Sequence, residues 1–407
     1  MSFRTALSGI SAATTDLAVT SNNIANVSTA GFKSGRAEFG DLYAATIFGT
    51  SRNTTGSGVR VSGITQQFTQ GNVEFTNRNL DLAISGGGFF TLSSGGVYSY
   101  SRAGNFQLDR DGFVINPGGA RLQVFPPADD TGTVFETGRL QDLQLTTTDS
   151  QPSATSTITV GTNLPGNATP PTVTPFSPTD TNSFNHSTSI TVYDSLGVAH
   201  VQTLYYVKTA NPNEWQLHNY IDGTAVGAAQ TLQYDNSGAL TTPATGSITL
   251  PPYTPAGGAA AMNITLNVSS STQYGERFAV NDLRQNGFTT GRLVGIEVSQ
   301  EGVVFARYTN GVADPLGQLA LTGVPNPQGL QNLGDNLFAQ TFESGDVRRG
   351  AAGTSDFGLV QSGALESSNV ELTEQLVSMI IAQRNFQANA QMIQTNDQIQ
   401  QTIINLR

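Results

Sequence analysis

Apolar residues form two matching stripes at the ends of the chain, with period-two patterning between them. Phe3, Leu7, Ile10, Thr14, Leu17, Ser21 and Ile24 step by alternating fours and threes, along one seam of a helix with a seven-residue period. Leu372, Leu376, Met379, Gln383, Phe386, Ala390 and Ile393 repeat that spacing near the other end. Seams this narrow cannot bury themselves alone, so the two ends are predicted to find each other and copies of themselves. The first helix runs from about Phe3 to Asn26 and closes in Asn22-Asn23-Ile24-Ala25-Asn26, with Gly31 as its stop. Its Thr, Ser and Asn content is poor for a helix, which predicts that it orders only when covered. The second opens on Ser368 with Glu371 three residues on, a capping box, and runs without Pro or Gly to Leu406. That predicts roughly 38 residues and a length of about 57 Å. Its stripe slips after Ile393, where Met392, Asn396, Ile399, Ile403 and Leu406 begin a neighbouring one, so this helix is expected to touch several partners.

Between the helices the chain reads as β-structure. Phe32 to Gln70 alternates Gly, Ser and Thr with isolated aromatics, Phe39, Tyr43 and Phe48, and reads as an extended connector. From Gly71 the period becomes two: Leu80 to Ile84, Phe89 to Leu92, Val97 to Tyr100, Phe106 to Leu108 and Phe113 to Ile115 are short strands split by Gly-rich turns. Asp111-Gly112 predicts a type I′ hairpin. Leu293 to Ser299 and Val303 to Tyr308 form a second hairpin around Gln300-Glu301-Gly302. The stretch from Leu145 to Arg284 differs, being rich in Thr and Pro, with strands at Ile190 to Tyr193 and Val201 to Val207. The expected fold is α+β and multidomain, a terminal coiled-coil helical domain plus two mainly antiparallel β domains nested by insertion. Its boundaries are 1–70 with 360–407, then 71–144 with 285–359, then an inserted 145–284.

Composition narrows the partners. Only 12% of residues are charged, the formal net charge is -11 and Lys33 and Lys208 are the only lysines, so no clustered positive charge serves a nucleic acid or an anionic membrane. The 407 residues include no cysteine, which removes disulfides and thiolate chemistry. No secretory signal peptide opens the chain and no segment approaches a membrane span, so insertion into a membrane is not expected. Candidate chemistry is thin. His186, His200 and His218 lack metal-ligand spacing and read as solvent-facing or strand-edge residues. Gly86-Gly87-Gly88 lacks the completing residues of a phosphate loop, while Asp109 with Asp111 and Asp129 with Asp130 suit turns. No enzyme activity, metal or cofactor is expected.

The end motifs carry a resemblance. Asn22-Asn23-Ile24-Ala25-Asn26 followed by Gly31-Phe32-Lys33 resembles the N-terminal signature of the bacterial flagellar rod and hook axial proteins. Gly363-Ala364-Leu365-Glu366-Ser367-Ser368-Asn369-Val370-Glu371-Leu372, with Ala382-Gln383-Arg384-Asn385-Phe386-Gln387, is similar to their C-terminal signature. Ile84 to Phe90 and Tyr100 to Phe106 add matches in the first β block. Rod members are shorter, and the length and Pro171 to Phe176 are most similar to the hook members. The resemblance implies a structural subunit that polymerises into the curved, flexible hook, which transmits motor torque from rod to filament for motility. A distal rod subunit is the nearest alternative, and a secreted β-rich adhesin or fibre protein a remoter one. Implied partners are further copies of the chain, the distal rod, the hook cap, the hook-filament junction proteins and the type III export apparatus. The implied place is the flagellar basal body and hook, extracellular after export without a cleavable signal. The expected assembly seam is Phe3, Leu7, Ile10, Leu17 and Ile24 against Leu372, Leu376, Met379, Phe386 and Ile393, continued by Ile399 and Ile403. The signature positions are Asn22, Asn23, Asn26, Gly31, Phe32, Lys33, Gly363, Leu365, Glu366, Asn369, Gln383 and Arg384.

Overall fold

The computed structural model describes residues 2–42, 56–129, 132–145, 148–354 and 356–405. Tyr43, Phe48, Asp130 and Leu406 lie outside them. The chain divides into two compact units: Met1–Thr147 with Gly295–Ala306 and Ala313–Arg407, and Thr148–Val294 with Arg307–Val312.

The first unit holds both helices, α1 (Ser2–Ala25) and α2 (Leu372–Asn405). At 34 residues α2 is about 51 Å long. The predicted capping box does not form. The helix begins four residues after Ser368, whose hydroxyl accepts from the Val370 N–H instead, while Glu371 supplies the first helical carbonyl, to Gln375. The expected connector is also corrected. Strands β1 (Gly35–Asp41) and β2 (Val59–Gln66) pair antiparallel, with a bulge at Glu38/Phe39. Their Gly, Ser and Thr residues dilute the apolar alternation, although the accessibility still alternates along β2.

β3 (Val73–Phe75) pairs with Ala364–Glu366, and β4 (Leu82–Ser85) with Leu359–Ser362, so the two ends of the unit are stitched twice. β5 (Phe89–Ser94) and β6 (Val97–Ser101) lie inside a 13-stranded sheet. Its main path runs from the 293–308 hairpin through Ala313–Leu319 and Arg121–Phe125 to β5 and β6, then Leu337–Ala339 and Gln331–Gly334. Its period-two residues Phe90, Leu92, Leu122 and Val124 are buried, and Phe68, Phe89 and Phe338 meet edge to face beside them. The 107–115 hairpin forms, but not as type I′: Gly112 alone takes positive φ, and the Asp109 carboxylate accepts from the N–H groups of Asp111 and Phe113. That side chain supplies the turn's acceptor, so Asp111 need not enter the left-handed region.

The second unit pairs a six-stranded antiparallel sheet, centred on Ala199–Lys208 and Glu214–Ile221, with a five-stranded one around Thr157–Pro165. Strict alternation sends Leu204, Tyr206, Trp215 and Leu217 inward against Ile158, Val160 and Leu266. Thr157–Pro165 has two parallel neighbours, Thr265–Asn267 and Thr272–Tyr274, in an otherwise antiparallel arrangement.

Candidate assembly interface

The signature residues converge on Glu366, whose side chain is fully buried. Its Oε1 accepts from Lys33 Nζ at 2.6 Å and from the Gly71 N–H at 2.9 Å, and its Oε2 from Arg102 Nη1 at 3.3 Å. Two cations on one carboxylate leave donors to satisfy, and backbone carbonyls take them: Lys33 donates to Thr69 at 2.7 Å and Arg102 to Gly86 at 2.7 Å. Burial pushes the Lys33 and Arg102 pKa values down, while Glu366 pulls against it through its charge and hydrogen bonds. The Gly31 N–H donates to the Glu366 carbonyl at 2.7 Å. Gly31 has φ +69° and any Cβ there would strike the Ala103 backbone, which is why this position takes glycine.

Two asparagines extend the clasp. Asn369 accepts from the Ser34 N–H at 2.7 Å and donates to the Gln67 carbonyl at 2.7 Å. Asn23 exchanges both hydrogen bonds with the Gly35 backbone, at 2.8 and 2.9 Å, imitating a strand neighbour, and donates to Gln375 Oε1 on α2 at 3.0 Å. Asn26 donates to the Asn22 carbonyl at the end of α1, Phe32 accepts from the Asn369 N–H, Gly363 accepts from Thr76 and Leu365 pairs opposite Glu74. Gln383 and Arg384 stand apart from this group, exposed on α2.

The helices lie antiparallel, since Asn23 meets Gln375 and Gly9 abuts Asn389 in the same register. Their contact runs through small and polar residues: Ala6, Ala13, Thr20 and Asn23 are buried on α1, and Ala382 on α2. The apolar stripes do not close on each other inside the chain. Phe3, Leu7, Leu372, Leu376, Phe386 and Ile399 are all exposed, Leu7 by 52% and Ile399 by 53%. Ile10, Leu17, Ile24, Met379 and Ile393 are half-buried, and the side chain of Ile403 lies outside the description. Val377, Ile380 and Ile381 widen the exposed face of α2. Ala6, Gly9, Ala13 and Ala382 are absent from the apolar seam because small residues carry little apolar weight, although 6, 13 and 20 keep the heptad spacing and Ala382 belongs to the C-terminal signature. Arg102 was legible only as part of the Tyr100 to Phe106 match.

Of the solvent-facing or strand-edge reading of the histidines, His186 does open an edge strand, His186–Tyr193, but all three are half-buried rather than solvent-facing. His186 stacks on Phe278 at 4.4 Å, His218 stacks on Phe176 at 4.0 Å, and His200 sits between Asp194 and Asp222.

Clasped ends and long helices that leave apolar faces open define an assembling structural subunit. Four family profiles agree: Flagella basal body rod protein over residues 3–33, Flagellar hook protein FlgE/F/G D1 domain over 83–173, Flagellar basal body protein FlaE D2 domain over 163–288, and Flagellar basal body rod FlgEFG protein C-terminal over 361–406. The chain is 40% identical to the flagellar hook protein FlgE of Salmonella typhimurium and 39% to that of Escherichia coli, each over 100% of both chains. It is 34% identical to the FlgE of Borreliella burgdorferi over 98% of both. The fold resembles that of Helicobacter pylori flagellar hook protein FlgE2, with a TM-score of 0.54 at 15% identity over 72% of this chain and 100% of that one. The chain belongs to the flagellar hook protein FlgE family: it is a structural protein of the bacterial flagellum and not an enzyme.

Proposed function

We propose that copies of this chain polymerise into the hook by completing one another's terminal helices. The observation that carries this is the row of apolar side chains left open on α1 and α2, Phe3, Leu7, Leu372, Leu376, Phe386 and Ile399, which Val377, Ile380 and Ile381 widen into a face on α2. Contacts between unlike surfaces, repeated with a rotation that does not close, build an open helical tube. Covering each such side chain contributes about 25 cal/mol per Å2 of apolar area, so the seam supplies several kcal/mol per subunit before ordering costs. The slipped stripe of α2 gives it a second neighbour beyond Ile393. In the tube the terminal helical region, 1–70 with 360–407, forms the inner layer, and the chain divides further into 71–144 with 285–359 and the inserted 145–284. The inner layer resists twist, while weakly charged outer contacts exchange as the hook bends and turns. The distal rod, hook cap, hook-filament junction proteins and type III export apparatus are its partners by the same resemblance.

Leu376→Asp and Phe386→Asp should each abolish polymerisation while the β-sheets stay folded. The measurement is sedimentation with circular dichroism on the soluble fraction. Normal polymers from either variant would refute the seam.

A further inference from the structure

We propose that Asp194, His200 and Asp222 form a proton-operated latch in the second unit, closing the 194–198 turn when the imidazole is charged and loosening it when the imidazole is neutral. The inference is independent of the assembly reading. His200 directs both ring nitrogens at carboxylates: Nδ1 lies 2.6 Å from Asp222 Oδ2 and Nε2 lies 3.4 Å from Asp194 Oδ2. A charged ring donates to both, whereas a neutral ring keeps one N–H and turns a lone pair towards the other carboxylate. The Tyr253 ring also faces it, near perpendicular, with ring centroids 6.2 Å apart.

Each carboxylate also organises backbone. Asp194 Oδ1 accepts from the N–H groups of Leu196 at 2.9 Å and Val198 at 2.8 Å, and Asp222 Oδ1 from that of Val201 at 2.9 Å. The ring therefore ties the turn before strand Ala199–Lys208 to the turn after strand Glu214–Ile221. Leu196, Val198 and Val201 all present exposed apolar side chains at this corner, so loosening it rearranges surface that water and neighbours meet. Burial works to lower the His200 pKa, but the two aspartates outweigh it and the net direction is upward. Both aspartates move down, against the opposing effect of burial, so they stay ionised. The closed form is therefore present in mild acid and is lost as pH rises through the raised His200 value.

The molecule contains its own control. Asp235 accepts from the N–H groups of Ser237 at 2.7 Å and Ala239 at 2.9 Å, the same turn geometry, and among the described residues no histidine contact accompanies it. The test is amide hydrogen exchange on the full-length chain by NMR, from about pH 6 to about pH 9, corrected for the intrinsic rate. Leu196 and Val198 should lose protection as pH rises while Ser237 and Ala239 do not. His200→Gln should remove the step. Asp222→Asn, which keeps the ring in place, should move the midpoint to lower pH. Parallel profiles at the two turns in the wild type, a step that survives His200→Gln, or an unmoved midpoint in Asp222→Asn would each overturn the latch.

Discussion

Glu366 shows how a single carboxylate organises the terminal region. Removing it leaves Lys33 and Arg102 buried without their counter-ion, so Glu366→Ala should cost about 3–5 kcal/mol, read as a lower denaturation midpoint. An unchanged midpoint would mean that the clasp holds nothing. Replacing the pair together, as Lys33→Met with Glu366→Leu, should recover part of that loss. The histidines make a second test, by NMR titration. Burial lowers the His186 and His218 pKa values, and the flanking aspartates raise that of His200, so His200 should hold its proton to the highest pH. His186 and His218 resist protonation in the folded state, so their contribution to stability should decline as pH falls through about 6.5, where the unfolded rings charge. Sequence picked out Lys33, Glu366 and Asn369 as motif members. It gave no sign that they touch, because residues 333 positions apart meet only through the fold.

At the scale of elements, the helix pair rests on a glycine. Gly9 costs α1 about 1 kcal/mol of helix propensity relative to alanine, and any Cβ there meets the Asn389 side chain. Gly9→Ala should therefore be close to neutral, since that side chain can turn aside while propensity improves. Gly9→Leu should lower the melting temperature, because a long side chain forces the helices apart. Equal effects of the two would place the close approach elsewhere. Both helices, the 107–115 and 293–308 hairpins and the alternation of the inserted strands were legible from periodicity. The β1 and β2 pair was not, since Gly35, Gly40 and Gly63 dilute its pattern, and neither was the start of α2, because a serine three residues ahead of the true N-cap matched a capping template. The apolar stripes were legible as stripes, whereas which face each helix would hide within the chain was not.

At the scale of the whole molecule, assembly through uncharged side chains sets its response to salt. The exposed stripe carries no ion pairs to screen, while the net charge of -11 repels between copies. Raising salt should therefore leave the critical concentration for polymerisation unchanged or lower it, and a marked rise would show that ion pairs hold the tube. Circular dichroism should also show helix gained on polymerisation, because covering the stripes stabilises helices of modest propensity; equal helicity before and after would refute coupled folding. The sequence by itself determined the periodicities, hence two long terminal helices around β-structure, and through its end motifs the family. Those properties are local, set by side-chain spacing along one element. Only the tertiary structure decided that Glu366 holds Lys33 and Arg102 together, that small residues close the helix pair, and that the apolar stripes stay open. Each of these depends on which distant segments come into contact, and burial, ion pairing and exposure are properties of those contacts rather than of spacing along the chain.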